Sequence, residues 1–146
     1  KIQSTEDFDI LYSIDLSYLF FFRTIPIQKE ALDDGLSAYF ERAEDKEDVL
    51  RMLHRCLAKQ TIAIALRRFD IIEFPPTIRS LFDDSKASRS GKDEQERMLA
   101  LSASLMDEVK QELANIDLIL TSDSSGSVDT NTSFNRPDDI ILVMPC

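Results

Sequence analysis

Residues 44–73 read EDKEDVLRMLHRCLAKQTIAIALRRFDIIE, and this run decides the fold class. Asp45 is placed to cap a helix, and Glu47 and Asp48 suit the positive end of its dipole. Val49, Leu50, Leu53, Cys56 and Leu57 form one stripe at helical spacing, the pattern of a helix with one face on a core. From Ile62 to Ile72 the apolar residues leave the stripe and surround the axis: Ile62, Ala63, Ile64, Ala65, Leu66, Phe69, Ile71 and Ile72. A helix apolar on every side is enclosed on every side. The run therefore predicts a long helix from Glu44 to Glu73, peripheral at first and central later, with Leu66 and Phe69 among the most buried side chains. Pro75-Pro76 stops it, because a residue before proline is driven away from helical ψ. Thr77 is then placed to cap a short turn carrying Ile78, Leu81 and Phe82.

On the N-terminal side, Ser4 and Asp7 resemble a capping box, and Phe8, Leu11, Tyr12, Asp15, Leu19 and Phe22 follow at helical spacing. These predict a first helix from Thr5 to Arg23, ended by Pro26. Its last turn contains Phe20, Phe21 and Phe22, which point in three directions about 100° apart on a helix. One core cannot easily hold all three, so they are candidate partner-binding residues. Leu32, Leu36, Tyr39, Phe40 and Ala43 predict a second helix, with Gly35 a weak point of about 1 kcal/mol relative to Ala.

On the C-terminal side, residues 83–92 (DDSKASRSGK) have no period and read as a loop. Met98, Leu101, Leu105, Val109, Leu113, Ile116 and Leu120 then predict a last helix from Asp93 to about Leu120. The expected architecture is all-α, a bundle of four to five helices over residues 1–120. A Ser- and Asp-rich flexible linker is expected over 121–137 and an extended C-terminal segment over 138–146.

The 146 residues suit one domain, and the 43% hydrophobic and 30% charged content is ordinary for a globular chain. The net charge of −10 repels phosphate backbones and anionic bilayers, so neither nucleic acid nor membrane is expected as a partner. The strongest apolar stretch, Ile10 to Phe22, is too short to span a bilayer. Cys56 lies in a helical pattern and Cys146 ends the chain, an arrangement that suits free thiols and an intracellular, cytoplasmic or nuclear setting. The chain opens on Lys1, and the expectation is a processed chain or a piece of a longer one.

Motifs that carry chemistry are sparse. His54 is the single histidine, and Cys56, two positions on, faces elsewhere on a helix, so no nucleophile–base pair forms locally. It reads as a solvated surface histidine. No HExxH, Glu-x-x-His or CxxC spacing supplies a metal site, and no glycine-rich phosphate loop is present. Asp123-Ser124-Ser125-Gly126-Ser127 has its glycine too early for a calcium loop and lacks a closing Glu. Catalytic, cofactor and metal residues are therefore all expected to be absent.

Two features invite a partner. Arg51, Arg55 and Lys59, spaced by four and extended toward Arg67-Arg68, form a basic strip that fits an acidic partner or the chain's own acidic first or last helix. Asp138-Asp139 precede Ile140, Ile141, Leu142 and Val143, and the run is bracketed by Pro137 and Pro145, which favours an extended segment. The pattern is similar to a SUMO-interacting motif, which would add to a partner's sheet edge. The plainer reading, favoured for an isolated apolar run, is a segment that packs back on the bundle or belongs to an adjoining fold element.

The expected function is a non-enzymatic protein–protein interaction module, an adaptor, regulatory or host-antagonist domain, binding a partner protein or a second copy through apolar helix surface. The alternatives are an enzyme using carboxylates such as Asp7, Asp9, Asp15, Asp33 or Asp34, and a structural oligomerisation subunit.

Overall fold

The computed structural model describes residues 1–82 and 91–129. The fold is an all-helical bundle with no strand among those residues. Its α-helices are α1 (Thr5–Leu11), α2 (Tyr18–Ala31), α3 (Ser37–Arg42), α4 (Glu47–Arg68), the single turn α5 (Pro76–Arg79) and α6 (Gly91–Asp129).

The expected first helix is two helices. Asp9 competes for the backbone: its Oδ1 accepts from the Ile14 N–H at 2.8 Å and the Leu16 N–H at 3.1 Å. Asp15 and Leu16 take left-handed φ values of 56° and 54°. Ser17 then caps α2, its hydroxyl accepting from the Phe20 N–H. Pro26 does not end α2. It sits on an exposed side of the helix, one turn after Phe22, itself exposed, whose carbonyl it leaves without a helical donor. The chain breaks instead across Leu32–Leu36, where Gly35 adopts φ 116° and ψ −21°. The expected second helix is thus a kink followed by short α3.

Helix α4 is the centre. Leu53, Leu57, Ala58, Ile62 and Ala65 are fully buried, and Leu66 is nearly so. It begins after Lys46, so Asp45 is not its cap, and it ends at Arg68, earlier than the expected Glu73. Phe69 is extended at the end of α4 and only half-buried, which corrects the expectation of a deep site. A short 3₁₀ turn over Ile71–Glu73 follows, closed by a capping box between Asp70 and Glu73. Thr77 does not cap α5. It lies inside that turn, and Asp15 does the capping, its Oδ2 accepting from the Thr77 N–H at 2.8 Å.

Helix α6 runs antiparallel to α4: Ser102 meets Ala63 and Arg67 at one end, Glu108 meets Lys59, and Asp123 meets Lys46 at the other. Small residues, Ala63 on α4 and Ser102 on α6, are buried at this seam. The Ser102 hydroxyl donates to the Ala63 carbonyl at 2.7 Å and accepts from Arg67 Nε at 3.1 Å. Met98, Leu105, Val109, Ile116 and Leu120 supply the expected apolar face. The helix continues through 121–129, the first part of the stretch expected to be a linker. The loop expected over 83–92 is shorter at its end, since α6 already begins at Gly91. Its residues 83–90, the rest of the linker (130–137) and the C-terminal segment 138–146 lie outside the described residues, so Ile140, Ile141, Leu142, Val143 and Cys146 are not placed.

A buried polar clip fastens the start of the chain. Gln28 and Thr24 on α2 have no exposed surface. Gln28 Oε1 accepts from the Ile2 N–H at 2.9 Å, and Gln28 Nε2 donates to Thr24 Oγ1, whose hydroxyl donates to the Phe21 carbonyl. Every polar atom of the clip that is removed from water has a partner, which makes its burial tolerable.

Candidate functional site

The three consecutive phenylalanines separate. Phe20 and Phe21 are buried at 2% and 6% exposure: Phe20 packs on Phe69 and Phe74, and Phe21 meets Phe8 edge to face. Both leave the set of candidate partner residues, because the break at 12–17 rotates α2 so that two of the three rings face the core. Phe22 stays outside at 57% exposure, with Tyr18 at 69% and Leu19 at 71%. These three occupy positions i, i+1 and i+4 of one helix side, and the Tyr18 and Phe22 rings touch at 6.2 Å. Leu16, also exposed, precedes them in the strained turn. Scattered apolar residues on a surface are ordinary, whereas a contiguous patch marks a contact site. Leu19 belongs to the apolar last turn of the expected first helix, whereas Tyr18 was not singled out by sequence. The signal for Tyr18 was present in Ser17, whose capping propensity restarts the helical phase.

The basic strip is used largely by the chain itself. Lys59 Nζ lies 2.8 Å from Glu108 of α6, and Arg68 forms a two-pronged pair with Glu30 of α2. Arg67 takes Ser102, as described above. Arg51 reaches only its own-helix neighbour Asp48, at 3.4 Å, and Arg55 pairs with no acid among the described residues. Further ties join Arg42 and Tyr39 to Asp117, Lys46 to Asp123, and Arg23 to Glu73. The guanidinium beside each carboxylate holds Glu30, Glu73 and Asp117 below their usual range.

Arg51 and Arg55 rise from α4 in a trough flanked by α1 and α6. On the α1 side a groove of about 300 Å³ is lined mainly by apolar surface from Ile2, Ile10 and Leu11, with Arg51 and His54 on its α4 wall and Asp7 on its α1 wall. On the α6 side a more polar groove of about 320 Å³ joins Arg55 and Lys59 to Glu108, Glu112 and Asn115. Burial, and then the Glu108 charge, push the Tyr12 phenol upward.

His54 is half-buried, not a solvated surface residue. Its ring packs edge-on against Phe40 at 5.0 Å. Nδ1 lies 2.8 Å from the Leu50 carbonyl oxygen, which can only accept, so Nδ1 carries the proton. Cys56 is buried and free, and desolvation pushes its thiol to about 11, which leaves it a thiol at neutral pH.

The carboxylates weighed for catalysis are spread out. Asp9 and Asp15 accept backbone hydrogen bonds, and the bonds from Thr77 hold Asp15 below its usual range. Asp7 lines the α1 groove, and Asp33 and Asp34 are exposed at the α2–α3 kink. Among the described residues, no three His, Cys, Asp or Glu side chains gather where they could hold a metal ion. No described helix is long and apolar enough to cross a membrane. No family model matches the chain, and no curated protein or solved structure matches it.

Proposed function

We propose that this chain is a protein-interaction module that docks a partner protein on the outer side of α2. The observation that carries this reading is the patch of Tyr18, Leu19 and Phe22, three large side chains on one helix side, each more than half exposed. Leu16 supports it. A leucine at φ 54° stores strain of about 1–2 kcal/mol while leaving its side chain in water, and strain of this kind collects at binding sites. Aromatic anchors with few rotatable bonds lose little entropy on docking and dominate contact energetics. The partner surface that fits is apolar and concave or helical, since the patch itself carries no charge. The adaptor, regulatory and host-antagonist roles all use such a surface.

The test places a photoreactive amino acid at Phe22 in the full chain and sequences the adducts formed in cells. The expected result is one dominant partner whose yield collapses in a Tyr18→Ser/Leu19→Ser variant of unchanged thermal stability. Adducts only between two copies of this chain would replace the partner by self-association. A scatter of abundant proteins, unaffected by the two substitutions, would end the reading.

A further inference from the structure

We propose that the trough along α4 receives the chain's own segment Asp138–Val143, with the paired aspartates on Arg51 and Arg55 and the aliphatic side chains on Ile10 and Leu11. This surface is separate from the outer side of α2. The trough asks for an occupant that is both acidic and apolar. Arg51 is held only by an exposed neighbour at 3.4 Å, Arg55 has no acid among the described residues, and Ile10 is 83% exposed. Three acids, Asp7, Glu108 and Glu112, also line it, but Glu108 is already paired with Lys59, and all three stand on the flanking helices while the bases rise between them. The sequence DDIILV pairs two acids with four aliphatics, and Pro137 and Pro145 keep a helix from forming across it. An extended run sends Ile140 and Leu142 to one side, which suits a groove open along its length.

Chain geometry allows the docking. Because α6 is antiparallel to α4, its last turns lie at the same end of the bundle as Lys46. Asp129 is about 9 Å beyond Asp123 along α6, and Arg51 about 7.5 Å from Lys46 along α4. Residues 130–137 can span up to about 26 Å, more than the return along the axis requires. A segment tethered this closely experiences an effective concentration on the order of millimolar, which favours it over a second copy's segment in dilute solution.

The test places a photoreactive benzoylphenylalanine at Ile141 in the full chain and maps its adducts by mass spectrometry. The expected adducts join position 141 to residues 2–11 or 51–55 within one chain, at a yield unchanged by dilution. Arg51→Glu/Arg55→Glu should cut that yield by about tenfold, the effect of roughly 1.4 kcal/mol. Asp138→Lys/Asp139→Lys should cut it equally without touching the bundle, and combining the two reversals should restore it. Adducts elsewhere on the bundle, adducts only between chains, or a yield indifferent to both reversals would overturn the proposal.

Discussion

Gly35 sits at φ 116°, and nothing lies within 4 Å of the place a Cβ would occupy. The obstacle to a side chain there is therefore backbone strain alone. Helix propensity taken by itself makes Gly35→Ala stabilising, since glycine is a poor helix former. The kink reverses the sign: Gly35→Ala should lower stability by about 1 kcal/mol or more, read as a drop in the denaturant midpoint. A rise would mean that α2 and α3 are one continuous helix. Leu16 is the mirror case, a side chain where glycine fits better. Leu16→Gly should raise stability by up to about 1 kcal/mol, the relieved strain less the extra chain entropy, while weakening the α2 docking. Gln28 is a third single-residue lever. Gln28→Leu keeps the bulk but orphans the Ile2 N–H, at about 1–3 kcal/mol. Amide exchange at Ile2 should then speed up far more than exchange in α4, and equal acceleration at both would show that the clip is not local.

At the scale of elements, Phe20 and Phe69 separate core from margin. Phe20→Ala should cost about 3–5 kcal/mol, because a buried ring leaves a cavity among Phe69, Phe74 and the rest of the core. Phe69→Ala should cost clearly less: its ring is half-buried, meeting Phe20 edge-on and Phe74 at a tilt, with the Arg23 guanidinium 4.4 Å from its centre. Equal losses in chemical denaturation would contradict this ordering. Apolar periodicity in the sequence located α4, the core face of α6 and the all-helical class, because burial writes a 3.6-residue period wherever a helix is long. It failed at 12–17 and 32–36. There the deciding events are side chain to backbone bonds from Asp9 and Ser17 and a left-handed glycine, which leave no period behind. The same failure hid the outer side of α2. The rotation set by those few residues decides which of Phe20, Phe21 and Phe22 meets water, and the sequence pattern assigns all three alike. His54 was misplaced for a related reason: its neighbour Phe40 arrives from α3, fourteen positions away, through a kink that the pattern did not show.

The whole molecule carries ten more negative charges than positive, yet several of its bases are spent on ties between helices. Arg68–Glu30 joins α4 to α2, Arg42–Asp117 joins α3 to α6, and Arg23–Glu73 holds the turn after α4 against α2. Each pair is partly exposed, so each alone contributes little and salt weakens it further. Together they set the acid behaviour. Glu30, Glu73 and Asp117 titrate below their usual range in the folded chain and within it once unfolded. The unfolded chain therefore binds more protons as the pH falls through the ordinary carboxylate range near 4, and the folded state loses ground. The stability these groups supply is complete above that range and is lost as the pH drops through their lowered folded values. A Glu30→Gln/Glu73→Gln/Asp117→Asn variant should accordingly be less stable than wild type at neutral pH. Its thermal midpoint should fall less steeply below pH 5, and the two curves should converge in acid. Parallel curves down to pH 2 would show that other carboxylates govern the acid transition and that these three ties are ornaments of the surface.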